Sequence, residues 1–203
     1  MVREQISGRG IHNPEIVRVM SEVPRHLFVP DAYRADTYED YPIPIGYSQT
    51  ISQPYIVAYM IEALELKPSD SVLEVGVGSG YQAALLSRIV SKVYGIEIVP
   101  ELAEAARLRL NELGYSNIEI QTGDGWYGWK DDTTFDAIIV AATATEIPVA
   151  LVEQLGNNGR MILPVGHTGW LQQLVLVKKT GGEITHKKLI GVSFVPLVKK
   201  AEK

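Results

Sequence analysis

Apolar residues along the chain fall into two periods, and the change from one to the other marks its organisation. Ile16, Val17, Met20 and Val23 recur at helical spacing behind Asn13-Pro14, and Pro54 opens a second helical run, YIVAYMIEALEL, ending before Pro68. From residue 70 onward, short β-branched runs alternate with helical ones. VLEV (72–75) is followed by helix-forming AALLSRIV, KVYGIEI (92–98) by ELAEAARLRLNEL between Pro100 and Gly114, and NIEIQT (117–122) and FDAIIVA (135–141) continue the alternation. Residues 147–155 read as a helix ending in the turn Gly156-Asn157-Asn158-Gly159, with RMILPV (160–165) as the fifth strand. Two further β-like runs, 171–179 and 184–195, are joined at Gly181-Gly182 as a hairpin.

Alternating strands and helices predict an α/β fold with a doubly wound, mostly parallel, Rossmann-like sheet. The final hairpin predicts an antiparallel edge, and residues 1–69 predict a helical N-terminal elaboration with no core strand. Between its two helices lies VPRHLFVPDAYRADTYEDYPIPIGYSQTISQ (23–53), rich in Tyr and Pro. A stretch of that length inside a compact domain is functional or disordered, and its apolar content favours a cover over the site.

The candidate chemistry begins at VLEVGVGSG (72–80). Gly76, Gly78 and Gly80 follow a buried strand and open a helix, which lets backbone approach a ligand. A dinucleotide fingerprint would need a glycine where Tyr81 stands, and Glu74 would repel a pyrophosphate. S-adenosylmethionine carries no phosphate but does carry a sulfonium and an amino-acid end that an acid can face. The pattern Glu-x-Gly-x-Gly-x-Gly therefore points to the methyl donor rather than NAD. Glu97, closing the next strand, stands where such folds place a carboxylate for ribose hydroxyls; taken alone it would read as a solvated strand-end acid.

Composition narrows the alternatives. Hydrophobic residues make up 46% of the 203, enough for a continuous core. There is no cysteine, and the 4 histidines are scattered, so neither a disulfide nor a metal site is expected. A net charge of −5 argues against a nucleic-acid binder. Residues 171–203 nevertheless hold seven lysines against two acids, either a solvated strand face with a basic tail or a patch for anionic partners. With no long apolar run and no signal-like N-terminus, a cytoplasmic protein without a membrane partner is expected.

VPRHLFVP (23–30), GYSQTISQPYIVAYM (46–60), VLEVGVGSGYQAALL (72–86) and GDGWYG (123–128) together resemble the protein-L-isoaspartate O-methyltransferase family, from about residue 10 to the C-terminal GVSFVPL. The glycine loop alone fits any class I methyltransferase, including one acting on RNA or a small molecule; Thr50-Ile51-Ser52-Gln53-Pro54 before a helix is the more specific sign. The resemblance implies a class I methyltransferase fold, with residues 70–203 as the S-adenosylmethionine-binding core and residues 1–69 as elaboration and cover in one compact unit. It implies methyl transfer from S-adenosyl-L-methionine to the free α-carboxylate of L-isoaspartyl residues in damaged peptides and proteins. The sequence does not fix the oligomeric state; a monomer is expected.

The same resemblance implies roles for individual residues. Ser52 would hold the acceptor and be the catalytic residue. Thr50, Ile51, Glu74, Gly76, Gly78, Gly80, Glu97, Asp124, Gly125 and Gln172 would contact the cofactor; apart from the resemblance, Ala141, Ala142 and Thr143, small residues at the end of the fourth strand, are expected to line the substrate cleft. Each has a plainer alternative: helix capping for Thr50 and Ser52, a simple turn for Asp124-Gly125, strand-end packing for Ala141 to Thr143. Family members with an Ala-Pro-His-x-His segment after the serine have Gln53-Pro54-Tyr55-Ile56-Val57 here, so no histidine role carries over to that helix.

Overall fold

The computed structural model describes residues 1–199. Helix α1, Pro14–Glu22, starts where Asn13 Oδ1 accepts the Glu15 N–H at 2.9 Å, and it buries Ile16, Val19 and Met20. Val19 takes the core position expected of Val17, because the stripe sits one residue round the helix. Short 3₁₀ turns at Arg25–Phe28 and Asp31–Asp36 lead into a small hairpin of β1 (Ile43–Gly46) and β2 (Gln49–Ile51), which stands apart from the main sheet. Helix α2, Pro54–Ala63, follows at once.

The central sheet uses β3 (Ser71–Val75), β4 (Lys92–Glu97), β5 (Ile118–Thr122), β6 (Phe135–Val140), β7 (Leu155–Val165), β8 (Gln172–Thr180) and β9 (Glu183–Val192), in the order β5-β4-β3-β6-β7-β8-β9. Pairing is parallel from β5 to β7 and antiparallel across β7-β8-β9, so the expected antiparallel edge is present. The hairpin joining β8 to β9 turns at Gly181-Gly182. Helices α3 (Tyr81–Ser87), α4 (Pro100–Glu112) and α5 (Val149–Glu153) connect the parallel strands.

One expectation needs correction. Residues 156–159 do not form a turn ahead of the fifth strand; β7 begins at Leu155, opposite Phe135, and its register slips before Ala137 meets Arg160. The extra residues form a bulge, with Asn158 in the left-handed region at φ 64°. A bulge uses the same glycines and asparagines as a turn.

Alternation along the strands sends Val72, Ala137 and Ile139 into one core and Leu73, Ile138 and Val140 into the other. The first core also contains Ile6, Ile16, Phe28 and Val57, so the N-terminal elaboration packs on the face covered by α3. Neighbours of β3 lie on opposite sides, β4 reached through α3 and β6 after the chain returns. Such a reversal leaves a crevice at the carboxyl ends of β3 and β6, the usual place for a ligand in this architecture. Among the described residues, no helix is long and apolar enough to cross a membrane.

Candidate active site

A cavity opens at that crevice. Its lining includes Thr50, Ile51, Ser52, Glu74, Gly76, Gly78, Glu97, Gly125, Ala141 and Ala142, which the sequence scatters over nearly half the chain. The glycine loop forms its floor. Gly76 N–H donates to the Ile96 carbonyl at 2.8 Å, and Glu97 Oε2 accepts the Gly78 N–H at 2.8 Å while Oε1 accepts that of Val99 at 2.9 Å. Glu97 is thus a buried, backbone-held carboxylate rather than a solvated strand-end acid.

Glu74 is fully buried on the same wall. Its Oε1 accepts a hydrogen bond from Gln82 Nε2 at 3.1 Å, and its Oε2 has no partner among the described residues. Burial pushes its carboxyl well above the usual carboxylate range, Gln82 opposes that shift, and nearby Glu97 adds to it. An acid with one orphaned oxygen at a cavity wall fits a ligand that brings a cation, as the amino-acid end of S-adenosylmethionine does.

The hairpin and the chain terminus close the cavity from above. A Cβ on Gly78, whose φ is +54°, would lie 3.2 Å from Ile45 Cδ1, so β1 rests directly on the glycine loop. Val195 to Val198 cross the opposite side and line the cavity. This strap is pinned at Thr143, whose N–H donates to the Val195 carbonyl and whose carbonyl accepts the Leu197 N–H, both at 2.8 Å. Gln172 holds it at Phe194: Oε1 accepts the Phe194 N–H at 2.7 Å. Lys199 Nζ lies 5.2 Å from the centre of the Trp126 ring.

A second groove shares Thr50, Ser52, Ala141, Val195 and Pro196 with the first and continues past Pro42, Ile56, Leu171 and Phe194. Among the described residues, no charged side chain lines it. Ser52 therefore stands where the two spaces meet. Helix α2 begins at Pro54 with Gln53 in the cap position and no side-chain cap, so neither Thr50 nor Ser52 caps it. The first-turn N–H groups of Tyr55 and Ile56 have no intrahelical partner by construction, which leaves donors beside Ser52.

A family model described as protein-L-isoaspartate(D-aspartate) O-methyltransferase matches residues 1–202. The chain belongs to that family. It is 52% identical over 199 residues to protein-L-isoaspartate O-methyltransferase 2 of Pelobacter propionicus, covering 98% of this chain and 88% of that one. It is 53% identical to a protein-L-isoaspartate O-methyltransferase of Pelotomaculum thermopropionicum, covering 98% and 86%. A Plasmodium falciparum structure described as a methyltransferase of this family, in complex with S-adenosyl-L-homocysteine, superposes with a TM-score of 0.83 at 28% identity, covering 98% and 97%.

Within this isoaspartate methyltransferase frame, four expected site residues lie outside the cavity lining. Gly80 caps α3 in the left-handed region, where a Cβ would meet Leu110 Cδ1 at 3.1 Å, so its role is packing. Asp124 Oδ1 accepts the Trp126 N–H at 2.9 Å and shapes the turn that brings Gly125 to the cavity. Thr143 and Gln172 hold the strap rather than face the cavity. Sequence reasoning missed the strap itself, Gln82 and Ile45. It also missed Arg25, a wholly buried cation behind the wall. Of the lysines within residues 171–203, read as a solvated strand face with a basic tail or a patch for anionic partners, Lys187 and Lys188 lie on the exposed strand β9, while Lys200 and Lys203 lie outside the described residues.

Proposed function

We propose that Ser52 holds the free α-carboxylate of an L-isoaspartyl residue at the junction of cavity and groove, beside the donors of the α2 N-terminus. Transfer of a methyl group from S-adenosylmethionine to that carboxylate, which initiates repair of the damaged protein, is the activity of this family and of this chain. The observation that carries the assignment of Ser52 is its place in the lining of both spaces.

When bound, S-adenosylmethionine supplies an electrophilic methyl group on a sulfonium. The protein's part is to bind, orient and exclude water. Glu74 would take the ammonium of the cofactor's amino-acid end, Glu97 its ribose hydroxyls, and the approach of Gly125 would leave room for the adenine. A carboxylate with a pKa of about 4 is already ionised at neutral pH, so no general base is required of the site. Ser52 and the first-turn N–H groups of α2 can donate to an oxygen anion without competing as nucleophiles. Apolar walls from Ile51 and Val195 to Val198 keep water away, and orientation of this kind supplies up to about 7 to 11 kcal/mol in well-ordered cases.

An extended peptide suits the acceptor groove. Among the described residues its lining has no lysine or arginine to neutralise phosphates, which speaks against RNA as the acceptor. Ala141 presents only a methyl group at the junction, where a peptide main chain must pass, and Ala142 beside it lines the cavity. The test is incubation with labelled S-adenosylmethionine and paired peptides that differ only in an isoaspartyl or aspartyl linkage. Base-labile label in the isoaspartyl member alone is expected; equal labelling of both would overturn the reading.

A further inference from the structure

Arg25 is 0% exposed and sits behind Ser52. Its Nη2 donates to the Ser52 carbonyl at 2.8 Å and its Nε to the Thr37 carbonyl at 2.8 Å. The guanidinium carbon is 4.9 Å from the centre of the Tyr81 ring, and Tyr81 lines the cavity. Among the described residues no carboxylate pairs with Arg25, and its Nη1 has no hydrogen-bond partner. The phenols of Tyr81 and Tyr38 are the titratable groups that face it.

An arginine placed in this way is costly. Burial lowers its pKa to about 10, so it keeps its charge at neutral pH with no counter-ion to offset the lost hydration. Two main-chain carbonyls could be satisfied by neutral donors. The charge is therefore a feature in need of a partner, and the nearest element of the site is Ser52. Thr37 and Ser52 both lie on irregular backbone, and only the rigid fork of a guanidinium ties them together in one plane.

We propose that Arg25 is a positioning residue for the acceptor: it grips the Ser52 carbonyl from inside the protein, fixes the Ser52 hydroxyl where cavity and groove meet, and biases that point toward an anion. The proposal rests on Ser52 being the holder of the carboxylate. It gives VPRHLFVP a task in substrate binding, although none of its side chains lines either space.

The test compares Arg25→Met, Arg25→Lys and Ser52→Ala in steady-state methylation of an isoaspartyl peptide, with calorimetric binding of S-adenosylhomocysteine as the second readout. Arg25→Met is expected to raise the peptide KM about tenfold or more while the affinity for S-adenosylhomocysteine stays within about twofold, the pattern of lost acceptor binding. Arg25→Lys keeps the charge but not the fork, and is expected to recover part of the loss. An unchanged peptide KM in Arg25→Met overturns the proposal, and so does a parallel fall in both affinities, which marks mere scaffolding. Should the methionine variant not fold, Arg25→Lys decides: a wild-type KM there overturns the proposal. A peptide KM unaffected by Ser52→Ala would instead remove the role given to Ser52, whereas a raised one with normal Arg25 variants would remove only the role of Arg25.

Discussion

Gln82 reaches back from α3 to Glu74 on β3, and this contact at 3.1 Å is the one hydrogen bond that the Glu74 carboxyl accepts among the described residues. Residues eight apart meet because the glycine loop folds the chain back on itself between them. Burial holds Glu74 protonated well above the normal range in the free protein, whereas an ammonium at its orphaned oxygen would favour the charged form.

Cofactor binding is therefore expected to release a proton from Glu74. Calorimetry in buffers of different ionisation enthalpy should show this release, and Glu74→Gln should abolish it while weakening affinity roughly 10- to 100-fold, the worth of a charged hydrogen bond. The stability effect has a definite sign. A carboxyl whose folded pKa is raised contributes stability that is complete below its unfolded value and is lost as pH rises through the folded one. The cofactor-free protein should lose stability on that upward path, and Glu74→Gln should remove the slope.

Gly125 is required by packing as well as by the ligand. A Cβ there would come within 2.2 Å of Val75 Cγ1, at the buried end of β3. Gly125→Ala should cost about 1 to 3 kcal/mol in urea unfolding, the range for an overpacked core, and should weaken cofactor binding because β3 must move. Gly182→Ala, with nothing within 4 Å of the added carbon, should cost less, because only its φ of +86° opposes it.

Ser52→Ala should leave thermal stability nearly unchanged, since α2 begins without a side-chain cap. A lost cap would cost about 1 kcal/mol. Methylation of an isoaspartyl peptide should nevertheless fall by at least about tenfold, the worth of one hydrogen bond to a charged group. A stability loss with normal activity would return Ser52 to a structural role.

Arg160 on β7 ties the N-terminal elaboration to the sheet. It pairs with Asp70 Oδ2 at 3.1 Å, both side chains nearly buried, and also donates to the Glu65 carbonyl at 2.8 Å. Asp70→Ala leaves that guanidinium buried and unpaired, and should cost about 3 to 5 kcal/mol. Because one core joins Ile6 and Phe28 to Val72 and Ile139, denaturant unfolding is expected as a single transition, without separate loss of residues 1–69.

The parallel strands and the glycine loop were legible because their signals are local: a β-branched run, then glycines where backbone must come close. Glu74, Gly76, Gly78 and Glu97 could be placed in one cavity from that grammar alone. The β1-β2 hairpin could not, because Tyr47 and Ser48 occupy positive φ at its turn without the Asn-Gly signature that announces such turns. The order of β8 and β9 at the sheet edge leaves no trace in periodicity. Arg25 escaped notice for a different reason. A charged residue between a proline and a histidine reads as surface, and only the folded chain brings the carbonyls of Thr37 and Ser52 to its fork.

The strap of Val195 to Val198 makes the donor pocket a composite of distant stretches of chain. The glycine loop and both acids lie early in the sheet, whereas the wall that closes over them comes from beyond its last strand. A truncation after Val192 should therefore leave a folded sheet whose pocket stands open and cannot retain its donor.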